Sequence, residues 1–568
     1  MPPQVGDRPQ SEADFWIDHD NLQAIEEELG RIEQSLANAH DQSGLSQVRT
    51  DYGFDGTGQT VAIIDSGIAY DHFALGGGFG ANYRVVGGWD FTDENDADPY
   101  DDGTAGAHGT HVAGIVGANG GTHDGVAPGV DLVGLRVFND AGDGYFSWVE
   151  NALTWIHNNR NSFENPITAI NLSLGVASWN SDAIPSWANL EDEFSLLEQD
   201  GIFISVSAGN SFTSYNQPGL SYPAASPHVV PVASVDDSGL LSYYSQRNSR
   251  VIAAPGRGII STVPDYAGDN NGTTDDYASF SGTSMAAPYV AGASVIIREA
   301  MEFVGTANIT QQTIYDHMNA TADSFFDSET NANYNRLNLE SAIDAIMPTD
   351  DYGSTVGSAY DLGTLDSDES MSGVITTLDD VDYFSFTTAN DATVTFTISN
   401  MTHDLAADWD VSGGTGVWSG ANNEILTIEV LAGQQYSVGF SSQDGLGYYD
   451  LDITSEDAFT YTDWGTITSA DIQGASVSGE DWYRVSAGAN GYLSTQAMFN
   501  AGGGQISLEL YNSGLQLIDT GNAVGGESQV DFYANANDEF FVRAIGTNAD
   551  VDFRITNLVS LDQTWVMV

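Results

Sequence analysis

Between about residues 58 and 300, the chain alternates apolar segments with stretches of helical periodicity. Six apolar segments are predicted to be strands, at 60–65, 130–138, 167–175, 201–210, 229–235 and 250–256. Stretches such as 146–159 and 188–199 lie between them and are predicted to be helices. Apolar strands that alternate with helices indicate an α/β fold whose parallel sheet is covered by helices on both faces. In such sheets, functional side chains gather at the carboxyl ends of the strands.

Beyond about residue 350, the helical periodicity ends. Short alternating runs of Val, Thr, Phe and Tyr are separated there by Gly, Asn and Asp, which is typical of all-β structure. An imperfect repeat is also visible, since "DLGTL" at 361–365 matches "DWGTI" at 463–467. We therefore predict two all-β sandwich domains, at 351–456 and 457–568.

The first 43 residues have a character of their own. Residues 1–18 resemble a loose tail without a basic or an apolar leader region, so no signal peptide is expected in them. Apolar residues then recur at helical spacing and predict a helix over about 20–38. We expect this helix to pack on another part of the structure, and one interpretation of region 1–43 as a whole is a remnant of a pro-segment.

The charge of the chain excludes several classes of partner. The chain has 80 acidic residues against 14 basic ones, all of them arginine, and a net charge of −66 at pH 7. Such a field repels nucleic acids and anionic membranes.

No apolar run approaches the roughly 20 residues needed to span a bilayer. Cysteine is absent, which excludes disulfides and thiolate chemistry.

Three motifs place reactive residue types at predicted strand ends or helix starts. "AIIDSGI" (62–68) carries Asp65, "HGTHVAGIVGA" (108–118) begins with His108, and "SFSGTSMAAPYVAG" (279–292) carries Ser284. Taken singly, each has an ordinary explanation as a turn, a structural histidine or a helix cap. Together they supply an orienting carboxylate, a base and a nucleophile. In "SVSAGN" (205–210), Asn210 adds a side-chain NH2 that is a candidate donor to an oxyanion.

At these motifs, which occur in the family's order, the chain resembles the subtilisin family of serine endopeptidases over about residues 44–347. The resemblance implies that Asp65 orients His108, that His108 acts as general base and acid, and that Ser284 attacks. It also implies an oxyanion hole formed by Asn210 and the backbone N–H of Ser284. His111 has no catalytic role in that pattern and is expected to support its helix.

The resemblance also implies where substrate binds. The pocket for the residue before the cleaved bond is expected to be formed by Ser173, Leu174, Gly175, Ser207, Ala208, Gly209 and Ser221. None of these residues is charged, so we expect a neutral pocket of broad specificity.

Calcium is the one metal ion for which the sequence suggests candidate ligands. Members of the family often hold calcium near the N-terminus, but Ala74 stands where the pattern has an aspartate, and a later loop is short. A separate acidic loop at 90–103 offers Asp93, Asn95, Asp96 and Asp98 as candidate ligands of a structural Ca²⁺. A solvated acidic loop explains the same residues equally well. No cofactor is expected for the chemistry.

The sequence therefore predicts a secreted serine endopeptidase, extracellular or at the cell surface, that acts on proteins or peptides. No nucleic-acid partner and no membrane span are expected, and a monomer is the default. The alternative is an adhesion or surface-binding protein whose β-sandwich domains carry the main role.

The charge yields a testable prediction about salt. A surface with a charge of −66 repels itself when folded, and unfolding spreads the charges apart. Because the Debye length falls from about 10 Å at 0.1 M salt to about 3 Å at 1 M, KCl should stabilise the fold. With Ser284 blocked to prevent autolysis, the Tm should rise clearly between about 0.1 and 2 M KCl at fixed calcium.

A flat or falling curve would contradict this interpretation. If the Tm instead rises with calcium in low salt, the result would favour the alternative hypothesis that the acidic residues bind calcium at discrete sites.

Overall fold

The computed structural model describes residues 15–16, 36–103, 106–120, 123–403, 405–413, 417–421 and 424–559. The predicted tail and most of the helix predicted over 20–38 therefore lie outside the described residues. The chain forms two compact units, one of residues 1–387, 395–428 and 434–454, and the other of 388–394, 429–433 and 455–568. The predicted division into four domains stays a prediction.

A nine-stranded sheet forms the centre of the first unit. Its strands are β2 (Thr60–Asp65), β3 (Val85–Asp90), β4 (Asp131–Arg136), β6 (Ile167–Leu172), β7 (Phe203–Ser207), β8 (Val230–Val235), β9 (Ile252–Pro255), β12 (Asp323–Asp327) and β13 (Ala332–Arg336). Their order across the sheet is β12-β13-β9-β8-β7-β6-β2-β4-β3. All neighbours are parallel except β12 and β13. The predicted parallel sheet is therefore confirmed.

Two short antiparallel pairs lie outside this sheet. They are β1 (Phe15–Trp16) with β5 (Asp143–Gly144), and β10 (Ile259–Thr262) with β11 (Tyr277–Phe280).

Helices cover both faces of the sheet. They are α1 (Leu36–Ser43), α2 (Leu45–Asp51), α3 (His108–Gly117), α4 (Phe146–Asn159), α5 (Glu191–Gln199), α6 (Phe212–Tyr215), α7 (Thr283–Phe303), α8 (Gln311–Thr321) and α9 (Leu339–Asp344). On one face, alternate strand residues such as Ile64, Leu172 and Val206 share a core with apolar residues of α4 and α5. On the other, α7 packs along β6, β7 and β8. In the described part of the chain, no helix is both long and apolar enough to cross a membrane.

The order of the strands explains where a site can form. The chain starts the sheet at an interior strand, β2, adds β4 and β3 on one side, and then adds β6, β7, β8 and β9 on the other. Strands that follow β2 in the chain therefore lie on both sides of it, and in parallel sheets such a change of side is where a crevice at the carboxyl ends of the strands is expected. Asp65 is the last residue of β2.

The described residues after 350 form strands and two short 3-10 turns but no α-helix, as the all-β prediction requires. A first group forms a four-stranded sheet, β14 (Tyr360–Leu365), β16 (Val381–Thr388), β21 (Tyr436–Ser442) and β18 (Ala407–Gly413), and a five-stranded sheet, β15 (Glu369–Ile375), β22 (Gly447–Asp457), β17 (Ala392–Ser399), β20 (Ile425–Val430) and β19 (Val417–Ala421). Phe386 of the first sheet meets Phe396 of the second, with ring centroids 5.7 Å apart.

A second group of seven strands forms one continuous hydrogen-bonded sheet around a single apolar core. Its strands are β23 (Thr462–Ile467), β24 (Ser469–Ala487), β25 (Gly491–Phe499), β26 (Ile506–Asn512), β27 (Leu517–Gly521), β28 (Glu527–Ala534) and β29 (Glu539–Val559). Because β24 and β29 are long, β29 pairs with β24, β25 and β26 along different parts of its length.

Candidate active site

A hydrogen-bonded histidine and aspartate lie where β2 ends and α3 begins. His108 Nδ1 is 2.8 Å from Asp65 Oδ1, and both side chains are fully buried. The same Asp65 oxygen accepts the backbone N–H of Ser66 at 2.8 Å. An ionised carboxylate only accepts hydrogen bonds, so this contact places the imidazole proton on Nδ1. In the neutral ring, Nε2 is then the acceptor, as a general base requires.

Glycine at position 109 allows the helix to come this close to the strand. A Cβ atom there would lie 2.2 Å from the carbonyl oxygen of Gly67 and 3.1 Å from the Cβ of Asp65. The backbone N–H of Gly109 instead donates to Ser66 Oγ at 2.9 Å. His108 and Gly109, the first two residues of the "HGTH" motif, are thus required together. His108 can reach Asp65 only because Gly109 has no side chain.

A second buried carboxylate, Asp101, supports the start of the same helix. Its Oδ2 accepts the backbone N–H groups of Ala107 and Thr110 and the hydroxyl of Thr110, at 3.1, 3.2 and 2.7 Å. The pKa of Asp101 is raised to about 6, mainly by complete burial and in small part by the charge of Asp65, while these hydrogen bonds oppose the rise. Asp101 therefore fixes the backbone beside His108.

The loop that carries Asp101 is held in turn by Arg136, the last residue of β4. Its guanidinium lies 3.2 Å from Asp90, 2.9 Å from Asp102 and 2.5 Å from Asp140. The sequence analysis identified neither Arg136 nor Asp101. In so acidic a chain, nothing in the sequence distinguishes Asp101 from the other aspartates. Its hydrogen bonds in the structure do so.

Ser284 is the second residue of α7, and Asn210 approaches the start of that helix. Asn210 Oδ1 accepts the backbone N–H of Thr283 at 2.9 Å and its hydroxyl at 3.0 Å. A backbone N–H can only donate, so the atom that faces it must be the amide oxygen. The NH2 group of Asn210 consequently lies on the other side of the amide, as a donor.

Pro288 explains how the backbone of Ser284 is held. Proline has no N–H, so the carbonyl oxygen of Ser284, four residues earlier, lacks its usual helical donor. Ser173 Oγ supplies a replacement and donates to that oxygen at 2.7 Å. Asn171 Nδ2 donates to Ser173 Oγ at 2.9 Å, and Ser284 Oγ lies 3.4 Å from the Ser173 carbonyl oxygen. The unusual proline thus couples Ser284 to segment 173–175.

The predicted substrate-binding segments lie beside one another. Ser207 Oγ donates to the carbonyl oxygen of Leu174 at 3.3 Å, and the backbone N–H of Ser221 donates to that of Ala208 at 2.9 Å. A Cβ atom at Gly175 would lie 2.8 Å from Ser221 Oγ, and one at Gly209 would lie 2.9 Å from Ser221 Cβ. The two glycines therefore allow segments 173–175 and 207–209 to pack closely against Ser221.

His111 lies in the core below His108. Its Nε2 is 3.0 Å from each of the carbonyl oxygens of Ile259 and Ala278, and its ring stacks on Phe280. Burial lowers the pKa of His111 to about 3, with a further contribution from His108, so the ring stays neutral. His111 anchors α3 to the β10–β11 pair.

The four candidate calcium ligands are exposed and have separate contacts. Asp93 Oδ2 is 3.5 Å from Asn139 Nδ2, Asn95 Oδ1 accepts from Trp89 at 3.2 Å, and Asp98 Oδ1 accepts from Tyr70 at 2.9 Å. Asp96 Oδ1 accepts the backbone N–H of Asp98 at 2.9 Å. Among the described residues, the groups of three acidic side chains with oxygens within 4.8 Å of one another are Asp265, Asp269 and Asp276, and Asp350, Asp380 and Asp382. A calcium site at 93–98 stays a prediction.

Comparisons with known proteins agree on one family. A family model described as the subtilase family matches residues 56–341. Subtilisin amylosacchariticus of Bacillus subtilis subsp. amylosacchariticus is 32% identical over 47% of this chain and 64% of its own length. Thermitase of Thermoactinomyces vulgaris is 31% identical over 49% of this chain and 88% of its own length. This chain thus spans less than two thirds of the first relative and most of the second.

Among solved structures, a cold adapted subtilisin-like serine proteinase is 31% identical. The match covers 51% of this chain and 91% of that one, with a TM-score of 0.40.

The raised pKa of Asp101 yields a prediction about stability and pH. Between its ordinary value of 3.8 and about 6, the folded protein keeps a proton that the unfolded chain releases. The contribution of Asp101 to the free energy of unfolding is therefore fully present below about pH 4. It falls by roughly 3 kcal/mol as the pH rises to about 6. Asp101→Asn, which retains the acceptor for the helix, should remove this fall.

Denaturant unfolding between about pH 4 and 7, in a Ser284→Ala background, measures the difference between parent and variant. Asp93→Asn, at an exposed position, is the control and should keep the parent's pH dependence. Identical pH dependence in the parent and Asp101→Asn would contradict the role of Asp101.

Proposed function

Because the chain belongs to the subtilase family, we propose that it hydrolyses peptide bonds in proteins as a serine endopeptidase. The observation that carries the proposal is the buried hydrogen bond of 2.8 Å between His108 and Asp65, at the carboxyl end of β2. Ser284, at the start of a buried helix and beside Asn210, supplies the nucleophile that such a pair serves.

In the proposed first step, Ser284 Oγ attacks the carbonyl carbon of the peptide bond, and His108 Nε2 takes the proton of the hydroxyl. The imidazole becomes a cation, which the carboxylate of Asp65 stabilises while it holds the ring by Nδ1–H. A neutral hydroxyl is a poor nucleophile near pH 7, so this proton transfer is required for attack.

The carbonyl oxygen of the substrate becomes an oxyanion in the tetrahedral intermediate. The side-chain NH2 of Asn210 and the backbone N–H of Ser284 are the proposed donors to it. Both are fixed in advance, because Asn210 is held through its oxygen by Thr283 and the backbone of Ser284 is held by Ser173. Donors that need no reorganisation stabilise the transition state most effectively.

The intermediate then collapses to an acyl-enzyme. His108 gives its proton to the leaving amine, and the C–N bond breaks. A water molecule, deprotonated by His108, next attacks the ester carbon, and the Ser284 oxygen leaves with the proton from His108. The chemistry needs no cofactor, and any Ca²⁺ that the protein binds has a structural role.

The proposed substrates are proteins and peptides with neutral side chains before the cleaved bond. Segments 173–175 and 207–209 and Ser221 carry no charge, which supports a neutral and broad pocket. The absence of lysine and the net charge of −66 support an enzyme that works in high salt, outside the cell or at its surface. The roles of the two all-β regions stay predictions.

Ser284→Ala tests the proposal directly. The variant should lose hydrolysis of casein and labelling by a fluorophosphonate, while its Tm stays near that of the parent. Ser294→Ala, on the same helix, is the matched control because the hydroxyl of Ser294 donates to the carbonyl oxygen of Ala291 within the helix, at 2.7 Å. Turnover by Ser284→Ala close to that of the parent would rule out the proposed nucleophile.

Asn210→Asp separates the two roles of Asn210. Aspartate keeps an oxygen for Thr283 but has no NH2 for the oxyanion. We expect kcat to fall roughly a hundredfold or more with little change in KM, the size typical when a subtilisin-type site loses one oxyanion donor. Asn210→Leu, which removes both roles, should also lower the Tm. If KM rose strongly while kcat stayed constant, Asn210 would instead act in ground-state binding.

A further inference from the structure

A group of carboxylates lies at the start of the first all-β region, away from the candidate active site. Asp350, Asp380 and Asp382 each place one carboxylate oxygen so that all three lie within 4.8 Å of one another. Asp350 precedes the first strand of the region, and Asp382 is the second residue of β16. Segments that are distant along the chain thus bring like charges together.

Two of these carboxylates are withdrawn from solvent. Asp382 is fully buried and Asp380 is 4% exposed, whereas Asp350 is exposed. Isolated charges are costly to bury unless they are paired and hydrogen-bonded. None of the ion pairs among the described residues involves these three side chains.

One buried oxygen has no partner. Asp382 Oδ2 accepts the hydroxyl of Tyr449, but no hydrogen-bond donor reaches Asp382 Oδ1 within the described chain. The site therefore brings three carboxylates together and contains a buried acceptor that no donor of the described residues satisfies.

The other two carboxylates are held in place by their own donors. Asp380 Oδ2 accepts the backbone N–H and the hydroxyl of Thr376, at 2.8 and 3.0 Å. Asp350 accepts the backbone N–H of Tyr352 at 3.2 Å and the hydroxyl of Ser354 at 3.1 Å. Neutral donors, rather than positively charged side chains, therefore hold Asp350 and Asp380 in place.

We propose that Asp350, Asp380 and Asp382 bind one Ca²⁺ ion. The ligands are carboxylate oxygens alone, without nitrogen or sulfur, which favours a hard cation over Zn²⁺. Ca²⁺ accepts irregular sets of oxygen ligands, and water can complete its shell on the exposed side, at Asp350. The ion supplies the partner that Asp382 Oδ1 lacks and ties residue 350 to β16.

Calcium binding by the full chain tests the proposal. The experiment uses the Ser284→Ala protein, to prevent autolysis, in about 1 M KCl, which screens diffuse binding of cations to the acidic surface. Isothermal titration with Ca²⁺ should show one site fewer in Asp382→Asn than in its parent. Asp379→Asn, the exposed neighbour in the same turn, should keep the parent's number of sites.

The Tm provides a second readout, because the difference in Tm between Asp382→Asn and its parent should depend on whether Ca²⁺ is present. In EDTA, Asp382→Asn should melt no lower than the parent, because it removes a buried charge and keeps an oxygen for Tyr449. In millimolar Ca²⁺, the parent should melt higher than the variant, by roughly 4 °C. Should Asp382→Asn fail to fold, Asp350→Asn, at an exposed position, replaces it in both measurements.

Equal numbers of sites in the parent and the variants would overturn the proposal and assign the bound calcium to other acidic groups, such as Asp265, Asp269 and Asp276. An equal shift of the Tm by Ca²⁺ in the parent and the variants would overturn it as well.

Discussion

The hydrogen bond between His108 and Asp65 is the interaction on which the candidate active site depends. It joins the end of β2 to the start of α3, and both side chains are fully buried. Because water is excluded there, the imidazole has one acceptor for Nδ1–H and one orientation. The glycine beside it and the buried Asp101 both serve this contact, one through the absence of a side chain and the other by holding the helix backbone.

The chain carries a large excess of acid, and the structure buries a few of these carboxylates in three different environments. Asp65 faces a histidine, Asp101 faces backbone N–H groups, and Asp382 faces a tyrosine hydroxyl and other acids. Asp382 differs from the other two because two further carboxylates, those of Asp350 and Asp380, lie beside it, and this is why it indicates a cation. Burial of a carboxylate is therefore informative here only together with its partners.

Much of the fold and of the candidate site could be predicted from the sequence, because their signals are local. Apolar strands alternate with helices, and the motifs place Asp65, His108 and Ser284 at ends of elements. Asp101 and Arg136 could not be found in this way, because an aspartate in an acidic chain carries no local pattern. The same composition suggested calcium at 93–98, whereas the acidic groups with oxygens within 4.8 Å lie elsewhere in the described chain.

The sequence by itself determined which hydrogen-bond donors and acceptors each residue carries, and Pro288 shows what it did not determine. A proline at that position has no N–H, so the carbonyl of Ser284 must lose its helical donor whatever the rest of the chain does. Only the tertiary structure decided that the hydroxyl of Ser173 replaces that donor, since the two residues are distant in sequence. Hydrogen-bond capacity is a property of each residue, but its partner is chosen by packing, which brings separate strand ends to one edge of the sheet.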